Sequence, residues 1–208
     1  MSDPSITTVF FDYGGVIADE GFQNGLRGLA REQGLNGEAM LQVAKAAIYD
    51  SGFILGRGTE GEFWRLMRLG SGLRGSDDDL RDRVLRGFLL RPWMIERVQR
   101  LRARGLITGI LSDQTHWLDW LNEREAFFHH FDHVFNSYHL GKGKRDTELF
   151  QDIAAQLALS PGEILFIDDM KSNVERARAA GWRAIRYLDK ASFLAELDGI
   201  LPETGPET

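Results

Sequence analysis

Asp12 closes the apolar run in V-F-F-D-Y-G-G-V, residues 9–16. Ser112 and Asp113 close G-I-L-S-D, and Asp168-Asp169 close the apolar run in L-F-I-D-D-M-K-S-N. Each polar group follows a β-branched and aromatic stretch that reads as a buried strand. Lys142 and Lys144 lie between the second and third of these places, in G-K-G-K-R-D-T-E-L-F. Carboxylates with a nearby Lys and Ser form the donor set that Mg²⁺-assisted phosphoryl transfer needs. Hard oxygens hold the ion, a cation offsets phosphate charge, and hydroxyl and backbone N–H groups orient the phosphate. Each residue also has a plainer reading: Asp12 or Ser112 as turn residues, Asn173 as a helix cap, Lys142 or Lys144 as solvated surface.

The elements that must position these residues follow from periodicity. Ile6 to Phe11 predicts a first strand, broken by Gly14-Gly15. From there to about Arg91 the chain has helical spacing only: Leu26, Leu29 and Ala30; Met40, Val43, Ala44 and Ala47; Phe63, Leu66 and Met67; Leu80, Val84, Leu85 and Phe88. After Arg91-Pro92 helix and strand alternate, which predicts a parallel sheet with crossovers. Strands are expected at Leu106 to Leu111, Val134-Phe135, Ile164 to Ile167 and Ala184-Ile185. Helices are expected around Ile95 to Leu101 (ending at Gly105), Trp117 to Leu121, Phe150 to Leu157, Val174 to Ala180 and Phe193 to Leu197. The fold class is thus α/β: a Rossmann-like parallel sheet core, residues 1–16 and 92–200, with helices on both faces. An inserted small four-helix cap spans 17–91, and a flexible tail spans 201–208. Right-handed crossovers bring all strand carboxyl ends to one edge, where Asp12, Ser112 and Asp168-Asp169 converge.

Composition narrows the function classes. A chain of 208 residues with 43% hydrophobic and 27% charged residues is an ordinary globular composition. A formal charge of −6 argues against nucleic acid and anionic membrane as partners. The absence of cysteine excludes disulfides, thiolate metal sites and a thiol nucleophile. The five histidines show no metal-ligand spacing shared with a carboxylate, and none is assigned to a metal. M-S-D-P-S carries no leader-like pattern and no apolar run reaches membrane-spanning length, so a cytoplasmic protein, monomer or homodimer, is the expectation. Leu201-Pro202-Glu203-Thr204-Gly205 matches a sortase signal but lacks the hydrophobic segment and basic tail that such a signal needs. It is read as part of the tail.

Four motifs in this order resemble the haloacid dehalogenase superfamily. The first is F-F-D-Y-G-G-V; the second ends in Ser112; the third places Lys144 at the Lys of G-x-x-K-P-D-P-E-x-F; the fourth resembles D-D-x-x-x-N and is followed by A-x-x-A-G at 177–181. G-R-G-T-E-G-E-F-W, residues 56–64, resembles a recurrent cap segment. The first motif is similar to that of the glucose-1-phosphate phosphatase-like and epoxide hydrolase N-terminal phosphatase-like branch. The resemblance implies a Mg²⁺-dependent phosphatase of a small phosphorylated metabolite, with a sugar phosphate favoured. Asp12 would be the nucleophile forming an aspartyl-phosphate. Asp12, the Gly14 carbonyl and Asp169 would hold Mg²⁺, with Asp168 a neighbouring ligand or supporting partner and Asn173 orienting the metal's waters. Ser112 and the Asp113 N–H would hold phosphate oxygens, and Lys144 would offset charge. Phe53, Phe63 and Trp64 are expected in the cap core.

The departures from the family pattern bear on mechanism. Phosphatases of the superfamily usually carry an Asp general acid/base two residues after the nucleophile, where this chain has Gly14. General acid–base help is worth roughly 10²–10⁴-fold. Its loss favours substrates whose leaving group is already a weak base, such as anomeric sugar, aryl or acyl phosphates. A left-handed backbone at Gly14 would make restoring the Asp sterically costly. Arg145 and Thr147 replace the two prolines of the third motif. Two competing readings remain: a catalytically impaired phosphometabolite-binding or regulatory protein, and a 2-haloacid dehalogenase in which Asp12 displaces halide from carbon.

Overall fold

The structure, a computed structural model, describes residues 5–202. Five parallel strands form one sheet in the order β3-β2-β1-β4-β5. They are β1 (Thr8–Phe11), β2 (Ile107–Ser112), β3 (His133–Asn136), β4 (Ile164–Asp168) and β5 (Arg183–Arg186). The first strand is shorter than Ile6 to Phe11 suggests. All four residues of β1 are buried, as befits a central strand covered on both faces.

Side chains alternate across this sheet. Phe10, Leu111, Phe135 and Phe166 pack on one face with Phe150, Ile153 and Trp182. Val9, Phe11, Ile110, Leu165, Ile167 and Ile185 face the other way, against Val98, Leu101, Leu118 and Phe193. The covering helices are α5 (Pro92–Ala103), α6 (Trp117–Glu125), α8 (Leu149–Gln156), α9 (Lys171–Ala179) and α10 (Lys190–Ile200). A short α7 (Ser137–Leu140), too brief to show periodicity, follows β3 directly.

Between β1 and α5 lie the four helices of the insert: α1 (Gly21–Glu32), α2 (Gly37–Asp50), α3 (Glu60–Ser71) and α4 (Asp77–Leu85). Each begins at a side-chain cap that satisfies an otherwise orphaned amide: Glu20 takes Gln23 N–H, Asn36 takes Ala39, Thr59 takes Glu62 and Ser76 takes Asp79. Phe53, Phe63 and Trp64 are buried among apolar neighbours, and the insert's core runs without a break into that of the sheet. The two connecting strands pair with each other. Asp19 N–H donates to Leu89 O at 2.9 Å and Arg91 N–H to Ile17 O at 2.9 Å.

The expected tail needs a correction at its start. Leu201 is buried in the main core, and Arg104 donates to the carbonyls of Leu201 and Pro202. Residues 203–208, with the rest of L-P-E-T-G, lie outside the described residues. Among the described residues, no helix is long and apolar enough to cross a membrane.

Candidate active site

The sheet order makes β1 a switch point, because the chain leaves it toward β2 and β3 and later returns to its other side with β4. Crevices of this kind open at the carboxyl ends of the strands. The register pairs Phe11 with Ile110 on β2 and with Ile167 on β4. One residue further, Asp12 N–H donates to Ile167 O at 2.8 Å, so Asp12 and Asp168 emerge side by side. Asp12, Asp168 and Asp169 each place a carboxylate oxygen within 4.8 Å of the others.

Three donors converge on Oδ1 of Asp12: Ser112 Oγ at 2.6 Å, Tyr13 N–H at 2.7 Å and Lys144 Nζ at 2.8 Å. Among the described residues none reaches Oδ2, which leaves that oxygen to act. Ser112, 1% exposed, is thus committed to the carboxylate of Asp12. Lys144 is equally buried and bridges to Asp168 Oδ2 at 2.7 Å. Asp168 is saturated: Met170 N–H reaches its Oδ1 at 2.7 Å, and Asn173 Nδ2 lies 3.2 and 3.1 Å from its two oxygens. Asn173 therefore supports Asp168, and its own Oδ1 accepts from Arg176 at 3.2 Å. Asp169 stays half-buried on the wall of the crevice. Lys142, by contrast, pairs with Glu148 and Asp152 at the surface.

Charge in this cluster is unbalanced. Burial pushes the Asp12 carboxyl up to about 7, with Asp168 and Asp169 adding to the push against the pull of Lys144. Burial and Asp168 likewise raise Asp169. Burial works against the Lys144 ammonium, but Asp12, Asp168 and Asp113 outweigh it and hold the group above the ordinary lysine range. Among the described residues, Lys144 is the one cation paired with this cluster, and it touches two of its three carboxylates. Hard oxygen donors with surplus negative charge fit a divalent cation such as Mg²⁺. The backbone beneath is shaped for the same end: Gly15 has φ +82°, and a Cβ there would stand 2.7 Å from Asp169 Cγ.

A cavity of about 470 Å³ opens over the cluster, walled by Phe22, Leu41, Ile48 and Tyr49 of the insert and floored by Asp12, Gly14, Asp113 and Lys144. Asp113 accepts the Lys144 N–H at 2.8 Å and the Tyr49 hydroxyl at 3.3 Å, and burial raises its carboxyl. Gly14 does not carry the left-handed backbone that would make an Asp there costly; that conformation belongs to Gly15. A Cβ on Gly14 would meet only Gln114 Nε2 at 3.5 Å and Phe88 at 3.6 Å.

Gln114 was not legible as a site residue, although its place directly after S-D was the available signal. The sequence marks Arg91 only as a boundary. It donates to the carbonyls of Gly15 at 2.6 Å and Val16 at 3.0 Å, pinning the loop after β1.

Residues 6–181 match the haloacid dehalogenase-like hydrolase family. Among curated proteins the chain is 29% identical to bifunctional epoxide hydrolase 2 of Rattus norvegicus over 121 residues, 55% of this chain and 22% of that protein. It is 35% identical to phosphatase MT3486 of Mycobacterium tuberculosis over 119 residues, 52% of this chain and 54% of that one. Each match spans only part of the relative. Among solved structures, a family enzyme of Bacteroides thetaiotaomicron in complex with magnesium and inorganic phosphate superposes with TM-score 0.70 at 20% identity, covering 91% of this chain and 99% of that one. Solved dehalogenases share the fold too, at TM-scores of 0.71 and 0.63.

Proposed function

The chain belongs to the haloacid dehalogenase-like hydrolases, and we propose that within them it is a Mg²⁺-dependent phosphatase of a small phosphorylated metabolite, with a phosphorylated sugar as the substrate class. The observation that carries the reading is the cluster of three carboxylates around one buried lysine beneath the cavity. A dehalogenase displaces halide without a metal and has no need of the surplus negative charge at Asp168-Asp169. The partial match to the mycobacterial phosphatase supports the same choice.

Asp12, Asp169 and the Gly14 carbonyl would hold Mg²⁺, with Asp168 behind them. When bound, the ion supplies charge neutralisation at the phosphoryl oxygens. The Asp12 carboxylate attacks phosphorus in line, a P–O bond to Asp12 forms, and the P–O bond to the leaving group breaks. Ser112, Tyr13 N–H and Lys144 hold Oδ1 and so fix the direction of Oδ2. Water then attacks phosphorus, releases inorganic phosphate and restores the carboxylate. Gln114 fills the space beside Gly14, and its amide can hydrogen-bond a leaving oxygen without giving it a proton. That suits a leaving group of low basicity, such as the anomeric oxygen of a sugar.

The residues 17–91 act as the cap in this account, and a cytoplasmic monomer or homodimer is the working assignment. A panel of phosphorylated metabolites, read by released phosphate with and without Mg²⁺, tests the function. Phosphate release that needs both Mg²⁺ and Asp12 supports it. Halide release from 2-haloacids, or ligand binding with no turnover, would replace it with one of the competing readings.

A further inference from the structure

We propose that the cavity takes a phosphate ester carrying a second anionic group, a carboxylate or another phosphate, and that Lys45, Arg145 and Arg176 receive it. The inference rests on the phosphatase reading of the same site. All three cations line the cavity, and among the described residues none makes an ion pair. Lys142, three residues before Arg145, shows the contrast: it is neutralised by Glu148 and Asp152.

Their placement separates them from the seat of the transferred phosphate. Lys144 and Ser112 gather on Asp12 at the floor. Arg145 instead turns to the insert, its guanidinium 3.7 Å from the centroid of the Tyr49 ring on α2. Lys45 lies four residues before Tyr49 on the same helix, so the two share a face. Arg176, on α9, is steadied by its bond to Asn173 Oδ1 at 3.2 Å. Stacking on an aromatic ring and a fixed hydrogen bond hold guanidinium groups ready, which lowers the ordering cost of binding an anion. Phe22, Leu41, Ile48 and Ile54 on the same cavity lower the local dielectric and strengthen such a contact. A neutral sugar would leave these charges unanswered.

The test compares three esters with one linkage: the anomeric phosphate of a neutral hexose, that of the corresponding uronic acid, and the hexose bisphosphate. Turnover by the full chain with Mg²⁺ should favour at least one of the two esters that carry a second anionic group, by roughly tenfold or more in kcat/KM over the neutral hexose's ester, chiefly through KM. The better of the two tells carboxylate from phosphate. Lys45→Ala and Arg145→Ala, both at exposed positions, should erase that preference while leaving the neutral ester's rate within about twofold. Arg145→Lys should restore part of it. Equal turnover of all three esters, or variants that lower all three alike, overturns the proposal. Binding of the same esters to Asp12→Asn is measured by calorimetry in parallel. If no ester is hydrolysed but the preference for a second anionic group persists in binding, the phosphatase reading fails and the anion site stands. If binding shows no preference, the anion site fails whatever the turnover.

Discussion

Lys144→Met removes the one ammonium that, among the described residues, touches the carboxylate cluster, while nearly keeping its volume. In the native protein Nζ lies 2.8 Å from Asp12 and 2.7 Å from Asp168, and the side chain is 1% exposed. Taking away one partner of a buried ion pair leaves uncompensated charge and costs about 3–5 kcal/mol. For a chain of this size each kcal/mol moves Tm by about 2–4 °C, so the loss should be roughly 6–20 °C in metal-free buffer. The sign of its pH dependence follows from Asp12. Its folded carboxyl is raised from 3.8 to about 7, so the stability tied to its protonated form is present below the ordinary value and lost as pH rises through about 7. The deficit of Lys144→Met should therefore be smaller near pH 5 than near pH 8, the contact with Asp168 remaining at both, and Asp12→Asn in the same background should recover part of it. Thermal unfolding of the native protein, each single variant and the double variant across that range, in EDTA, is the assay. A deficit that is independent of pH and untouched by Asp12→Asn would refute the electrostatic coupling.

In the proposed site Asp12 must be ionised to hold Mg²⁺, so affinity measured by calorimetry should weaken as pH falls through about 7 and binding should release a proton there; flat affinity from pH 5 to 8 would remove Asp12 from the ligand set. Gly15→Ala should cost about 1–2 kcal/mol for its left-handed backbone and, because the new Cβ meets Asp169, weaken Mg²⁺ by roughly tenfold or more. A lowered Tm with unchanged Mg²⁺ affinity would argue against Asp169 as a ligand. Gly14→Asp meets only ordinary contacts at its Cβ, so the variant should fold and speed the burst phase of esters with basic leaving groups most. No gain in the burst phase for any ester would show that the proton is delivered by another group.

Much of this architecture was legible because it rests on periodicity and punctuation. The run at 164–167 is apolar throughout, as a strand buried on both faces must be, and its sudden end in two acids marked the site edge. The four helices of the insert showed themselves through Leu, Met and Phe at helical spacing and through turn residues. What stayed hidden depended on three-dimensional approach. Ser112 could be placed at the site, but its bond to Asp12 rather than to solvent depends on the stagger of β1 against β2. Asn173 bonds Asp168 because α9 turns back over its own strand. The left-handed glycine proved to be Gly15, since nothing in a Gly-Gly pair tells which member turns. Leu201 looked like the start of a tail because Pro202 and Gly205 dominate its surroundings; its burial comes from α10 docking on the sheet. Tyr49, Lys45 and Arg145 meet across the cavity from segments about a hundred residues apart, and no local pattern records that meeting.

Rapid quenching of the enzyme with Mg²⁺ and a turned-over phosphate ester, followed by mass analysis of its peptides, bears most directly on Asp12 as nucleophile. One phosphoryl group should appear on the peptide that contains Asp12, formed at the rate of the burst, lost on further incubation, and absent from Asp12→Asn. A phosphoryl group on another residue would contradict that role, as would full burst-rate phosphate release with Asp12 never modified.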